Sequence, residues 1–311
     1  MGQALMLRED RVEFESQGAV LSGVLLSPAR EVATDRRPLI VMAHGTSATI
    51  PMVAIDYARR FAAAGFVVFL YDHRNFGSSG GEPRGEINPW IQCRGYLDAM
   101  SFGHRLPGVD PARIGLWGDS YTGGQVVVVA ACDSRVRCVV AQCPVFGAKV
   151  PDERPSMETL GKIRQILATG DVRGGPEHTT GPLPVVSFDQ HSVPSLLQPI
   201  QAFRWFIDFG GRPGSGWVNR VTRVIPPSPA PYSPYLCARF VECPALFMVA
   251  PDDEMVHANP GVARSAFDRM GGMKEWYEIR DGHFGLLYPE SERFEEATRV
   301  QTDFFLRHLV R

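Results

Sequence analysis

Five short apolar runs constrain the fold of this 311-residue chain more than any other feature: PLIVMAHG (38–45), FVVFLYDH (66–73), RIGLWGDS (113–120), VRCVVAQCP (136–144) and PALFMVAP (244–251). Each is nearly continuous in apolar character instead of alternating, the pattern of a strand covered on both faces in a parallel sheet. Amphipathic stretches separate them. Residues 53–64 are Ala-rich, and 89–105 places Trp90, Cys93, Leu97, Met100 and His104 on one helical stripe. Residues 291–310 repeat the pattern with Phe294, Ala297, Phe304 and Phe305, interrupted by Gln301. Strand alternating with helix predicts an α/β fold, a mostly parallel sheet with helices on both faces and right-handed crossovers.

Two regions depart from that rhythm. Segments 11–18 and 19–28 alternate apolar and polar residues around Gln17-Gly18, which predicts an antiparallel hairpin with one wet face. Between 146 and 238 the strand pattern stops, and the chain becomes rich in Pro and Gly around an aromatic cluster, FRWFIDF (203–209). About ninety residues are too many for one structureless loop in a compact domain. They are expected to form a mainly helical cap, inserted after the sixth strand, between core segments 1–145 and 239–311.

Composition narrows the partners. A net charge of −2, with no dense run of Lys or Arg, argues against nucleic acid and anionic membranes. The longest apolar stretch, Val126 to Cys132, is far below the ~18–20 residues of a membrane-spanning helix. The start, MGQALMLRED, lacks a signal-peptide pattern, and Gly2 lacks the Ser or Thr of a myristoylation site. Cys93, Cys132, Cys138, Cys143, Cys237 and Cys243 show no paired or His-flanked metal spacing. Buried thiols in a reducing cytoplasm are the expectation.

The chemistry concentrates at the ends of strands. RIGLWGDS runs straight into the helix-compatible YTGGQVVVVAAC, so Ser120 falls on a sharp strand-to-helix turn, the setting of a nucleophile elbow. Gly118 supplies the small residue two places before it, whereas Thr122 stands two places after, with Gly123 following. The strict pattern G-x-S-x-G occurs instead at Gly77-Ser78-Ser79-Gly80-Gly81, but HRNF separates it from its strand and Pro83 and Pro89 follow where a helix should start. Asp119 as nucleophile is poorer, because Trp117 and Tyr121 would occupy the positions that must be small.

A serine hydroxyl needs a base within hydrogen-bond reach and a third group to orient that base. Asp252, Asp253 and Glu254 follow the last apolar run, and His283 lies in IRDGHFGLLY. Asp253 is the favoured acid among the three. Backbone N–H groups of Tyr121 and Thr46 are expected to form the oxyanion hole, with Gly45 permitting close approach. His44 is expected to shape that loop, and the remaining histidines to pack or face solvent. Phe203, Trp205 and Phe206 are candidate lining of a substrate pocket, or else the cap's own core.

HGT (44–46), YDHRNFGSSGGEPR (71–84), GDSYTGG (118–124), the Asp253 loop and DGHFG (281–285) together resemble the α/β-hydrolase superfamily, and within it the dienelactone hydrolase-like and X-prolyl peptidase or cocaine esterase-like branches. The order Ser, acid, His is the order of that superfamily. The resemblance implies an eight-stranded sheet, structural roles for Asp72 and Arg74, and no metal or organic cofactor. It also implies a serine hydrolase acting on an ester or thioester of a small acyl substrate. Three alternatives stay open: an acyltransferase or cyclase using the same acyl-serine, an X-prolyl-type peptidase, and an inactive scaffold used for binding.

Overall fold

The computed structural model describes residues 6–29 and 36–310; the extreme amino terminus with Gly2 lies outside the described residues. The chain runs β1 (Leu7–Ser16), β2 (Ala19–Pro28), β3 (Arg37–Ala43), α1 (Ala54–Ala63), β4 (Val67–Tyr71), β5 (Glu86–Ile87), α2 (Pro89–Gly103), β6 (Val109–Asp119), α3 (Tyr121–Cys132) and β7 (Val136–Gln142). It continues through α4 (Met157–Thr169), β8 (Thr179–Leu183), α5 (Ile200–Gly210), β9 (Val221–Val224), α6 (Pro234–Ala238), β10 (Ala245–Val249), α7 (Pro260–Asp268), β11 (Lys274–Glu278) and α8 (Glu292–Phe305). All five apolar runs are strands of one eight-stranded sheet, ordered β1-β2-β4-β3-β6-β7-β10-β11. Within this sheet, among the described residues, only β1 with β2 and β2 with β4 pair antiparallel.

Period-two alternation along the buried strands sorts side chains into two helical layers. Leu39, Val41 and Ala43 of β3 point into a core shared with Tyr96, Met100 and Val127 of α2 and α3. Ile40 and Met42 point the other way, toward Tyr57, Phe61, Phe294 and Phe305 of α1 and α8. Burying each such large side chain stabilises by about 1.5–3 kcal/mol. Helix starts follow from local chemistry: Asn88 accepts from the N–H groups of Trp90 and Ile91, with Pro89 at the first helical position. Gln17 and Gly18 both take positive φ, as a tight hairpin turn requires.

The stretch between β7 and β10 holds α4, α5 and α6, and also two strands that its sequence did not announce. There β9 pairs antiparallel with β8 and parallel with the two-residue β5, making a three-stranded sheet. The two-residue β5 thus ties the stretch between β7 and β10 to an earlier part of the chain through backbone bonds. The eighth strand, β11, reads KEWYE and lies at the sheet edge beside β10, where partial exposure removes the need for an apolar run.

Candidate active site

Ser120 sits between β6 and α3 with φ 58° and ψ −116°, a left-handed backbone that a serine adopts only under constraint. Small neighbours make the turn possible. A Cβ on Gly118 would lie 2.3 Å from the Thr122 carbonyl oxygen, and one on Gly45 would lie 2.9 Å from the Ser120 Cβ. Thr122 replaces the usual glycine because its hydroxyl works inside the turn. Its Oγ1 accepts from the Asp119 N–H (2.9 Å) and stands 2.8 Å from the Asp119 oxygen and 3.1 Å from that of Ala43. That hydroxyl joins the elbow to the end of β3. Ser120 N–H also donates to the Gln142 oxygen at 2.8 Å, and Val145 N–H to the Ser120 oxygen at 3.0 Å.

Residues 252–254 and the loop around His283 meet through all three carboxylates. Asp253 Oδ2 is 2.7 Å from His283 Nδ1, the two side chains being buried. Glu254 Oε2 accepts from the His283 backbone N–H at 2.8 Å. Asp252 accepts from Asp281 and Gly282 N–H at 3.4 and 3.3 Å. Gly282 has φ 70°, and a Cβ there would fall 2.4 Å from Glu254 Oε2, which explains the glycine before the histidine. Burial alone would lower the His283 pKa, but the charge and hydrogen bond of Asp253, with Asp119 and Glu254 behind, raise it above its ordinary value.

His44 is buried, and its Nδ1 accepts from the Gly45 N–H at 2.8 Å. Burial pushes its pKa down to about 3, so it is a neutral ring with its proton on Nε2. Asp119 is buried too, and burial pushes it up to about 6, against the opposing charge of His283 and a bond from Gln142 Nε2 (2.9 Å). A chain of amides continues inward: Gln301 Nε2 donates to Gln142 Oε1 at 2.6 Å, and Trp117 Nε1 to Gln301 Oε1 at 2.7 Å. The polar interruption of α8 is therefore a buried connector.

Ser120, His283, Asp119, His44, Gly45 and Thr46 line one cavity, closed over by Trp205 and Phe206 of α5 and by Leu197, Met255, Phe284 and Leu287. Its volume is about 20 Å³, room for one water-sized sphere. Larger depressions around Arg239 and Arg269 are open grooves that hold none of the expected site residues. Trp205 bonds the Leu287 oxygen at 2.9 Å, and its ring lies 5.4 Å from His44 and 5.6 Å from Phe284. Phe203 is not among the lining residues; it is half-buried with its ring 5.8 Å from that of Phe188. Tyr121, the first residue of α3, is half-buried with its ring 6.5 Å from that of Tyr232. Sequence reasoning missed Leu197, Met255, Phe284 and Leu287, of which only Phe284, beside His283, carried a positional hint.

The competing Gly77–Gly81 segment has another task. Ser79 Oγ donates to the Asp72 carbonyl at 2.6 Å and accepts from Ser22 N–H at 2.9 Å, while the Asp72 carboxylate accepts from Ile50 and Ser78 N–H. Both serve loop structure. Arg74 packs its side chain against Gly81.

No protein-family model matches the sequence. A crystal structure of the α/β hydrolase GrgF from Penicillium superposes with a TM-score of 0.70, covering 98% of this chain and 100% of that one at 24% identity, a likeness of fold. Thiohydrolase apmlB of Arthrinium phaeospermum is 30% identical over 312 residues, 97% of each chain. This chain belongs to the α/β-hydrolase superfamily. Another relative of this α/β-hydrolase, the quorum-quenching protein AidA of Acinetobacter baumannii, is 28% identical over 305 residues, 95% of this chain and 94% of its own. Among the described residues, no helix of the α/β-hydrolase is long and apolar enough to cross a membrane.

Proposed function

We propose that the protein is a serine hydrolase that cleaves a carboxylic ester or thioester of a small organic substrate through an acyl-enzyme. The observation that carries this reading is the 2.7 Å contact of His283 Nδ1 with Asp253, which leaves Nε2 for the Ser120 hydroxyl on the same cavity. The kinship with a thiohydrolase supports the substrate class.

Ser120 Oγ attacks the carbonyl carbon as His283 Nε2 takes its proton, and Asp253 stabilises the imidazolium that forms. The N–H groups of Thr46 and Tyr121 hold the oxyanion. Collapse expels the alkoxide or thiolate, which takes the proton from His283, and water then attacks the acyl-serine by the same route. Residues 146–238 act as a cap, with Trp205 and Phe206 toward the acyl chain and Phe203 stiffening α5 from outside. A cytoplasmic location belongs to this reading, supported by the buried unpaired thiols of Cys93, Cys138, Cys143 and Cys237.

Labelling with a fluorophosphonate probe tests the assignment. The wild type is expected to label stoichiometrically and Ser120→Ala not at all; full labelling of the variant overturns it. The apolar enclosure of the cavity favours one second reading, transfer of the acyl group to an amine or alcohol in place of water. Product analysis with competing nucleophiles separates the two, and hydrolysis alone under all conditions eliminates transfer.

A further inference from the structure

We infer that Cys143, Asp253 and His283 form a binding site for a thiophilic divalent metal ion, with Zn2+ as the reference case. Sγ of Cys143, a carboxylate oxygen of Asp253 and a ring nitrogen of His283 lie within 4.8 Å of one another. Thiolate, imidazole and carboxylate are the ligand types zinc takes, at about 2.0–2.3 Å from the metal, so ligand atoms stand roughly 3.5 Å apart in a tetrahedral site. Opening the 2.7 Å pair of His283 and Asp253 to that spacing while Cys143 Sγ draws in by about 1 Å converts the cluster into that geometry.

Cys143 follows the last residue of β7 with φ 38°, a left-handed conformation uncommon for any residue but glycine. Its N–H donates to the Met248 oxygen at 2.8 Å, so the backbone is held at the ends of two neighbouring strands. Such an outlier beside reacting groups is a reason to look for a function. The carboxylates of Asp119 and Glu254 add negative charge around the thiol, as a cation requires. The loop that carries Asp253 reaches the surface, where Asp252, Val256 and His257 are exposed.

Binding balances as follows. The thiol releases its proton to solvent, His283 gives up the proton on Nδ1 and takes one on Nε2, and the metal bonds Sγ, Nδ1 and the Asp253 oxygen. One proton leaves per metal bound. The imidazole then presents N–H to Ser120 where it must present a lone pair, so acyl transfer stops. Loss of activity rests on His283 being the base; metal binding does not.

Metal-free enzyme titrated with Co2+ and Zn2+ tests both parts. The wild type is expected to take up one equivalent of Co2+ with a thiolate-to-cobalt charge-transfer absorption, and Zn2+ is expected to abolish turnover at the same stoichiometry. Cys143→Ser and Cys143→Ala should keep metal-free turnover, lose the absorption and require at least about tenfold more Zn2+ for inhibition, since even partners outside the ligand shell typically cost 10–100-fold in affinity. His283→Gln, read by binding alone, should weaken Co2+ uptake likewise. Unchanged absorption in either Cys143 variant, or its absence from the wild type, overturns the metal site. Binding through Cys143 with full turnover retained would uphold the site and overturn His283 as the base.

Discussion

At the scale of single residues, each group at the site is held by a partner whose loss has a calculable effect. As the proposed base, His283 must be neutral to accept a proton, and its neighbours raise its pKa, so kcat/KM should climb with pH through an apparent pKa above the ordinary histidine value of about 6.5. The activity is lost as pH falls through that point. Asp253→Asn removes the principal support, and kcat is expected to drop by about 10⁴ with the limb displaced to lower pH. Asp252→Asn, which touches only loop N–H groups, should cost less than tenfold in a parallel assay. Thr122→Val tests the elbow: leaving the Asp119 N–H without its acceptor should cost about 1–3 kcal/mol in urea unfolding. The residue types Ser120 and His283 stood out in the sequence through strand-and-helix context, whereas Asp253 was one of three adjacent carboxylates. All three grip the histidine loop, and sequence order cannot say which oxygen meets the ring. The meeting of Cys143 with Asp253 and His283 was illegible for a stronger reason, since residues more than a hundred positions apart are joined only by the order of strands.

At the scale of elements, legibility followed burial. Strands covered on both faces needed uninterrupted apolar residues and announced themselves; β11 at the edge and the short β5, β8 and β9 did not. Helices α1, α2 and α8 were visible from their stripes, though α2 also buries Gln92, Arg94 and Tyr96, more of its circumference than one stripe suggests. The element that closes over the cavity is α5, whose Ala202, Trp205, Phe206 and Phe209 face the core while Ile207 is exposed. Trp205→Ala should destabilise the fold by about 3–5 kcal/mol and open the cavity. Trp205→Phe, which removes the pyrrole part of the indole together with its bond to the Leu287 oxygen but keeps a ring in place, is the gentler probe. A chain-length series of thioesters measured on it should shift toward longer acyl groups, and an unchanged profile would remove Trp205 from the pocket wall.

At the scale of the whole molecule, the chain's last helix is tied to the centre of the sheet. Gln301 bridges Trp117 of β6 and Gln142 of β7, while Phe294, Phe304 and Phe305 fill the core beside Tyr57 and Phe61. Gln301→Leu should lower the thermal midpoint by several degrees, since it strands an indole N–H and an amide oxygen in an apolar layer, each worth about 1–3 kcal/mol. The segment between β7 and β10 is fastened at several separate places, Arg94 to the carbonyls of α4 and Asn88 to that of Val172 among them. Backbone bonds join β9 to β5, Thr49 and Ser47 bond Ser215 and Trp217, and Trp205 bonds Leu287. A panel riveted on several sides does not swing like a door. Substrates would therefore enter by local yielding of side chains and short turns, and the enzyme would sort acyl groups by how little they ask the wall to give.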